Sequence, residues 1–276
     1  MNVGGSVLEF ASDDLLAIRA VQSCFHAAST STDTPAHRYR FVRTARGWQG
    51  EAPGRPPFGP ASLEDVFAFL EWRATEDVLA GAPPDRVFLH AAGILVGGRA
   101  VLITGPAGSG KSTMAAHLMA QGGLAWGDDV VCFAPETGLF SAFPRSWKLD
   151  HKALSGIDLL CSTVTTATWG TLLASTMWYV SPAAIRRVWE APPGRAAALL
   201  ILDGRHEGPP VAERMSDGRA ALQLGAAMMA ADAGRLPDWG AVMGRMLDAL
   251  GDVVAWRLAG GPPAALARTT LGALAA

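Results

Sequence analysis

Residues 105–113 read Gly-Pro-Ala-Gly-Ser-Gly-Lys-Ser-Thr. Gly105, Gly110, Lys111 and Ser112 fall in the pattern G-x-x-x-x-G-K followed by Ser or Thr. Each residue type has a chemical use at its place. Glycines let successive backbone N–H groups turn inward onto an anion. A helix leaving the loop aims its positive end at the same anion. Lys111 reaches β- and γ-phosphates, and the Ser112 hydroxyl is a hard oxygen ligand that suits Mg²⁺. Gly105, Pro106, Ala107, Gly108, Ser109, Gly110, Lys111, Ser112 and Thr113 are therefore read as a nucleoside-triphosphate loop, with ATP and Mg²⁺ as its ligands.

Asp128 and Asp129 follow Lys111 by 17 and 18 residues. One helix and one short strand fit that interval and return the pair to the phosphate end of a sheet. One carboxylate suits Mg²⁺; a second offers a base for an attacking hydroxyl. The alternative is an acidic turn in solvent. His90 closes an apolar stretch upstream, where a histidine is either structural or part of the site. Downstream, Arg145 and Lys148 could grip a phosphate or could be surface charge. Trp147 between them reads as core or as a peptide platform. Asp203-Gly204-Arg205 ends an apolar strand, as a site turn or a plain turn.

The stretch LHAAGILVGGRAVLITGPAGSGKSTMAAHLMAQGGLAWGDDVVCF resembles the catalytic core of HPr kinase/phosphorylase. It is similar above all to the HPr-kinase-like enzymes found beside genes for modified peptides such as lasso peptides. The resemblance runs over about residues 86–150, with Phe143-Pro144-Arg145 and Lys148 included, and fades toward both termini. It implies a phosphoenolpyruvate-carboxykinase-like P-loop core of α/β class. It implies Asp128 as the base, Asp129 and Ser112 as Mg²⁺ ligands, and His90 as the residue that orients the carboxylate. Pro193-Gly194-Arg195 resembles a turn that carries a catalytic arginine in that family, which makes Arg195 a candidate. The glycine-rich segment that HPr kinases use for their protein acceptor is not recognisable. The expected acceptor is thus a hydroxyl, by resemblance serine, on some other peptide or protein. A regulatory ATPase and a small-metabolite kinase are the other readings.

Elements must place these residues. Asp13–Gln22 reads as a helix, and Tyr39–Thr44 and Trp48 as strands about Arg46-Gly47. Residues 50–60 hold four prolines and three glycines and read as a linker. A helix opens at Ser62, with Asp65 three residues on, and stops at Gly81. Strands are expected at Arg86–His90, Ile94–Val96 and Ala100–Thr104, the last two joined by Gly97-Gly98. A helix follows over Ser112–Gln121, then short strands at Leu124–Trp126 and Val130–Phe133. Further strands are expected at Ala197–Leu202 and Val253–Leu258. Further helices are expected at Gly218–Ala231, with Met228 and Met229 in the core, and at Trp239–Leu250 and Pro263–Leu274. The alternation predicts an α/β catalytic domain over 61–276 behind a small α+β region over 1–60.

Composition sets the outer bounds. With 23 basic and 25 acidic residues the chain lacks the excess of a nucleic-acid binder. The longest apolar run, Ala196–Leu202, is too short to span a bilayer, and Met1–Phe10 does not read as a signal peptide. Cys24, Cys132 and Cys161 form no CxxC pair and read as buried thiols. A cytoplasmic protein is expected, without nucleic-acid or membrane partners, with a homo-oligomer left open.

Overall fold

The computed structural model describes residues 1–3, 5–25, 31–83, 85–154, 157, 168–169, 177–204, 207–228, 238–251 and 253–275. Cys161, Arg205 and Met229 lie outside them. The fold is mixed α/β and forms two compact units. Among the described residues no helix is long and apolar enough to cross a membrane.

The first unit gathers Met1–Ala82, Pro144–His151 and Thr163–Ser181. Its five-stranded sheet runs in the order β1 (Asn2–Val3), β2 (Ser6–Ser12), β3 (His37–Thr44), β4 (Gly47–Glu51), β5 (Phe58–Ala61). Only β2 and β3 pair in parallel. Helix α1 (Leu15–Cys24) starts at Asp14, whose carboxylate accepts from the Leu16 N–H at 2.7 Å. Helix α2 (Leu63–Ala80) starts at Ser62, whose hydroxyl accepts from the Asp65 N–H, and stops at Gly81. Val66, Phe67, Leu70, Ala74 and Val78 make its buried stripe, spaced as one helix face, and α2 packs on β3 and β4.

Two expectations shift here. The proline-rich stretch is not all linker. Phe58 pairs with Gly50 and Ala61 with Trp48 across a shift in register, so β5 adds an irregular edge strand, a setting in which a proline such as Pro60 is tolerated. The first unit also runs past residue 60: it takes in α2 and then regains the chain at Pro144. There β12 (Trp147–Asp150), β14 (Met177–Val180) and β13 (Thr168–Trp169) form an antiparallel sheet in that order.

The second unit holds Pro83–Phe143, Lys152–Ser162 and Pro182–Ala276. A three-stranded antiparallel sheet orders β11 (Leu139–Ser141), β10 (Val131–Ala134) and β6 (Val87–Leu89). The six-stranded sheet orders β16 (Val211–Arg214), β17 (Val254–Ala259), β15 (Ala198–Leu202), β8 (Arg99–Thr104), β7 (Ala92–Val96) and β9 (Leu124–Gly127). Strands β8, β15 and β17 are parallel; the outer pairs are antiparallel. Gly97 and Gly98 close the β7–β8 hairpin, with Val96 opposite Arg99.

Helix α3 (Lys111–Ala120) packs on β7, β8, β9 and the helix Pro263–Ala275. Trp126, Phe133, Phe140, Leu199, Leu224 and Met246 anchor the apolar core. The helix expected to Ala231 spans Asp217–Ala227. It stops because Met228 turns extended and bridges to Leu89, while its side chain packs on the core.

Candidate functional site

The phosphate-type loop joins β8 to α3. Gly105 has φ +146°, and a Cβ there would lie 2.4 Å from the Leu202 carbonyl oxygen, so only glycine lets the loop leave β8 against β15. Gly110 takes a left-handed conformation as the N-cap of α3. Pro106, Ala107 and Gly108 form the exposed rim, while Ser109 and Lys111 are buried and Ser112 and Thr113 half-buried. The Lys111 ammonium donates to the Gly105 and Pro106 carbonyls at 2.9 and 3.1 Å, which holds the side chain across the loop. The Ser109 Oγ is buried and has no hydrogen-bond partner among the described residues. A buried hydroxyl in that state inside a loop of inward amides suits an anion that accepts from it.

Burial pulls the Lys111 pKa down, and the charges of Asp129 and Asp128 pull it back up. The two carboxylates therefore stand close enough to act on the ammonium electrostatically. They sit on the tight turn between β9 and β10. Asp128 is buried and Asp129 half-buried. Asp129 has φ +64°, the one positive φ outside glycine among the described residues. Such backbone is rare outside glycine and is tolerated best by Asn and Asp. His90 holds the turn from the other side. Its Nδ1 lies 3.2 Å from the Asp129 carbonyl oxygen and 4.0 Å from the Asp129 carboxylate. With Nδ1 as the donor to that carbonyl, a neutral ring leaves Nε2 as an acceptor. The His90 backbone N–H in turn donates to the Ala227 carbonyl.

The loop, Asp128, Asp129 and His90 thus come together in the second unit. Arg145 and Lys148 lie in the first unit, both against the buried Glu71 carboxylate of α2, with Lys148 at 2.9 Å. Burial alone would raise the Glu71 pKa; Arg145 and Lys148 outweigh it and hold the carboxyl below its ordinary range. Trp147 is fully buried, as its core reading expects. Arg195 is exposed and donates to the Thr137 carbonyl. It precedes β15 at the strand end opposite the loop, ~15 Å or more away at ~3.3 Å per strand residue.

The structure sets the candidate turn at Asp203-Gly204 beside the loop, together with residues that sequence reading passed over. Asp203 follows β15, and a Cβ on Gly204 would stand 3.7 Å from Pro106 and Ser109. The Asp203 carboxylate pairs with Arg257 of β17 at 2.9 Å. Next to them a cavity of about 280 Å³ is lined by Pro106, Met215, Arg219, Leu222, Gln223 and Arg257, among others. Only the pairing of β15 with β8 and of β17 with β15 brings these segments to the loop. The apolar strand followed by Asp203 was the one local signal.

No protein-family model matches the chain, and no curated protein sequence matches it. Among solved structures it is similar to the Hpr(Ser) kinase/phosphatase from Coxiella burnetii, at 12% identity and a TM-score of 0.32, over 68% of this chain and 99% of that one. A likeness of that size does not bear on what the site does.

Proposed function

We propose that this chain is an ATP-dependent phosphotransferase that moves the γ-phosphoryl group to a hydroxyl, by resemblance the serine hydroxyl of a peptide or protein. A kinase that tailors a precursor peptide is the narrower form of the proposal. The observation that supports it most is the convergence of Lys111, Asp128, Asp129 and His90 at one loop.

In this reading the loop amides and the Ser109 hydroxyl hold phosphate oxygens, and Lys111 offsets the charge of the β- and γ-phosphates. Bound Mg²⁺ would neutralise phosphate charge. It would rest on Ser112 and Asp129 and take its remaining ligands from phosphate and water, as this ion commonly does. Asp128 accepts the proton of the attacking hydroxyl. His90 keeps the Asp129 carbonyl fixed and with it the turn that aims both carboxylates.

The test incubates the protein with γ-labelled ATP, Mg²⁺ and candidate acceptor peptides encoded nearby, and locates the label by mass spectrometry. Label on a peptide hydroxyl, lost with Lys111→Ala and in excess chelator, is the expected result. Free phosphate alone would favour a regulatory ATPase and overturn the transferase reading.

A further inference from the structure

The geometry points to the cavity beside Pro106 as the pocket for the nucleoside half of the nucleotide, so that base and ribose lie on the β15–β17 side of the loop. This rests on the nucleotide reading above and adds the direction in which the nucleotide lies.

The argument starts from strand order. In the six-stranded sheet β8 stands between β15 on one side and β7 on the other, with β9 beyond β7. The carboxylates follow β9, so the reactive, γ-phosphate end of a bound triphosphate belongs on the β7–β9 flank. A triphosphate is extended, and its nucleoside must then leave on the opposite flank. The cavity lies there, and Pro106 of the loop forms part of its wall.

Its chemistry suits a nucleoside. Met215 and Leu222 present apolar surface to a base, together with the Pro106 ring. Leu222 is 75% exposed, so its side chain is open to contact with a ligand in the cavity. Gln223 offers both a donor and an acceptor to a base edge. The ion pair between Asp203 and Arg257 fixes one wall, and Arg257 is further held by Glu213 at 3.0 Å.

Calorimetry with two magnesium-loaded probes, ADP and inorganic diphosphate, separates this proposal from the one it rests on. Wild type should bind both, ADP the more tightly. The double variant Met215→Ala, Leu222→Ala should weaken ADP about tenfold and leave diphosphate unchanged. Should the double variant fail to fold, Gln223→Ala, at an exposed helix position, should lower the same ADP-to-diphosphate ratio several-fold. Unchanged ADP affinity in the folded variant would place the nucleoside elsewhere and leave the nucleotide reading standing. Equal weakening of both probes also counts against the pocket, because the cavity would then serve the phosphates. If wild type binds neither probe, the nucleotide reading falls and the pocket with it.

Discussion

Asp128 and Asp129 are neighbours in sequence but differ in setting, and the difference separates their expected roles. Asp128 is buried, while Asp129 is half-buried in left-handed backbone. Asp128→Asn keeps the shape and removes the proton acceptor. Nucleotide affinity should stay within a few-fold of wild type, while single-turnover transfer falls by roughly 10²-fold or more. Loss of nucleotide and Mg²⁺ binding instead would exchange the roles of the two aspartates. Asp129→Gly relieves the positive φ. It should raise stability by up to about 1 kcal/mol while raising the Mg²⁺ needed for half-maximal transfer. A melting curve and a Mg²⁺ titration on the same preparation check both halves. A destabilised variant would show that the carboxylate is held for structure. At this scale the strand–loop–helix setting of residues 105–113 and the turn that carries the paired aspartates were legible, because glycines and spacing fix them. Arg195 was misleading, since three residues of turn sequence say nothing about which end of a strand they occupy.

Element boundaries were legible where a single residue enforces them. Ser62 and Gly81 bound α2, and Gly97-Gly98 fix the β7–β8 hairpin. They were illegible where pairing is long-range: β5 forms across prolines because β4 offers a partner, and β12 finds β14 far along the chain. Helix α3 shows how an element can carry a pH response. His117 is buried on it, and its pKa is lowered first by burial and then by the charge of Arg268. The unfolded chain therefore binds this proton more readily than the folded one. The neutral ring costs nothing above the ordinary imidazole value of about 6.5, and stability is lost as pH falls from there through the lowered folded value. Urea midpoints should drop between pH 7 and pH 5, and His117→Gln should flatten that drop. An equal drop in the variant would assign the response to other groups.

The whole molecule departs most from a linear reading, since neither unit is a continuous stretch of chain. A boundary near residue 60 suggests itself because prolines cluster there, and composition cannot report that residues 144–151 belong with α2. Glu71 makes the dependence chemical: its carboxylate is buried, and its paired cations, Arg145 and Lys148, come from the later segment. A buried carboxylate stripped of its partners costs about 3–5 kcal/mol, a large share of a small domain's stability. A fragment of residues 1–82 should therefore be unfolded or molten by circular dichroism and amide dispersion, and a cooperative, well-dispersed fragment would refute this. The same discontinuity sets a schedule during synthesis. Once Ala82 has emerged, about 100 further residues must follow before Ser181 completes the first unit, which at roughly 5–20 residues per second takes about 5–20 s. For that interval α2 waits on the ribosome with Glu71 uncompensated and its apolar stripe only partly covered. A pause in translation before Pro144 would lengthen the exposure.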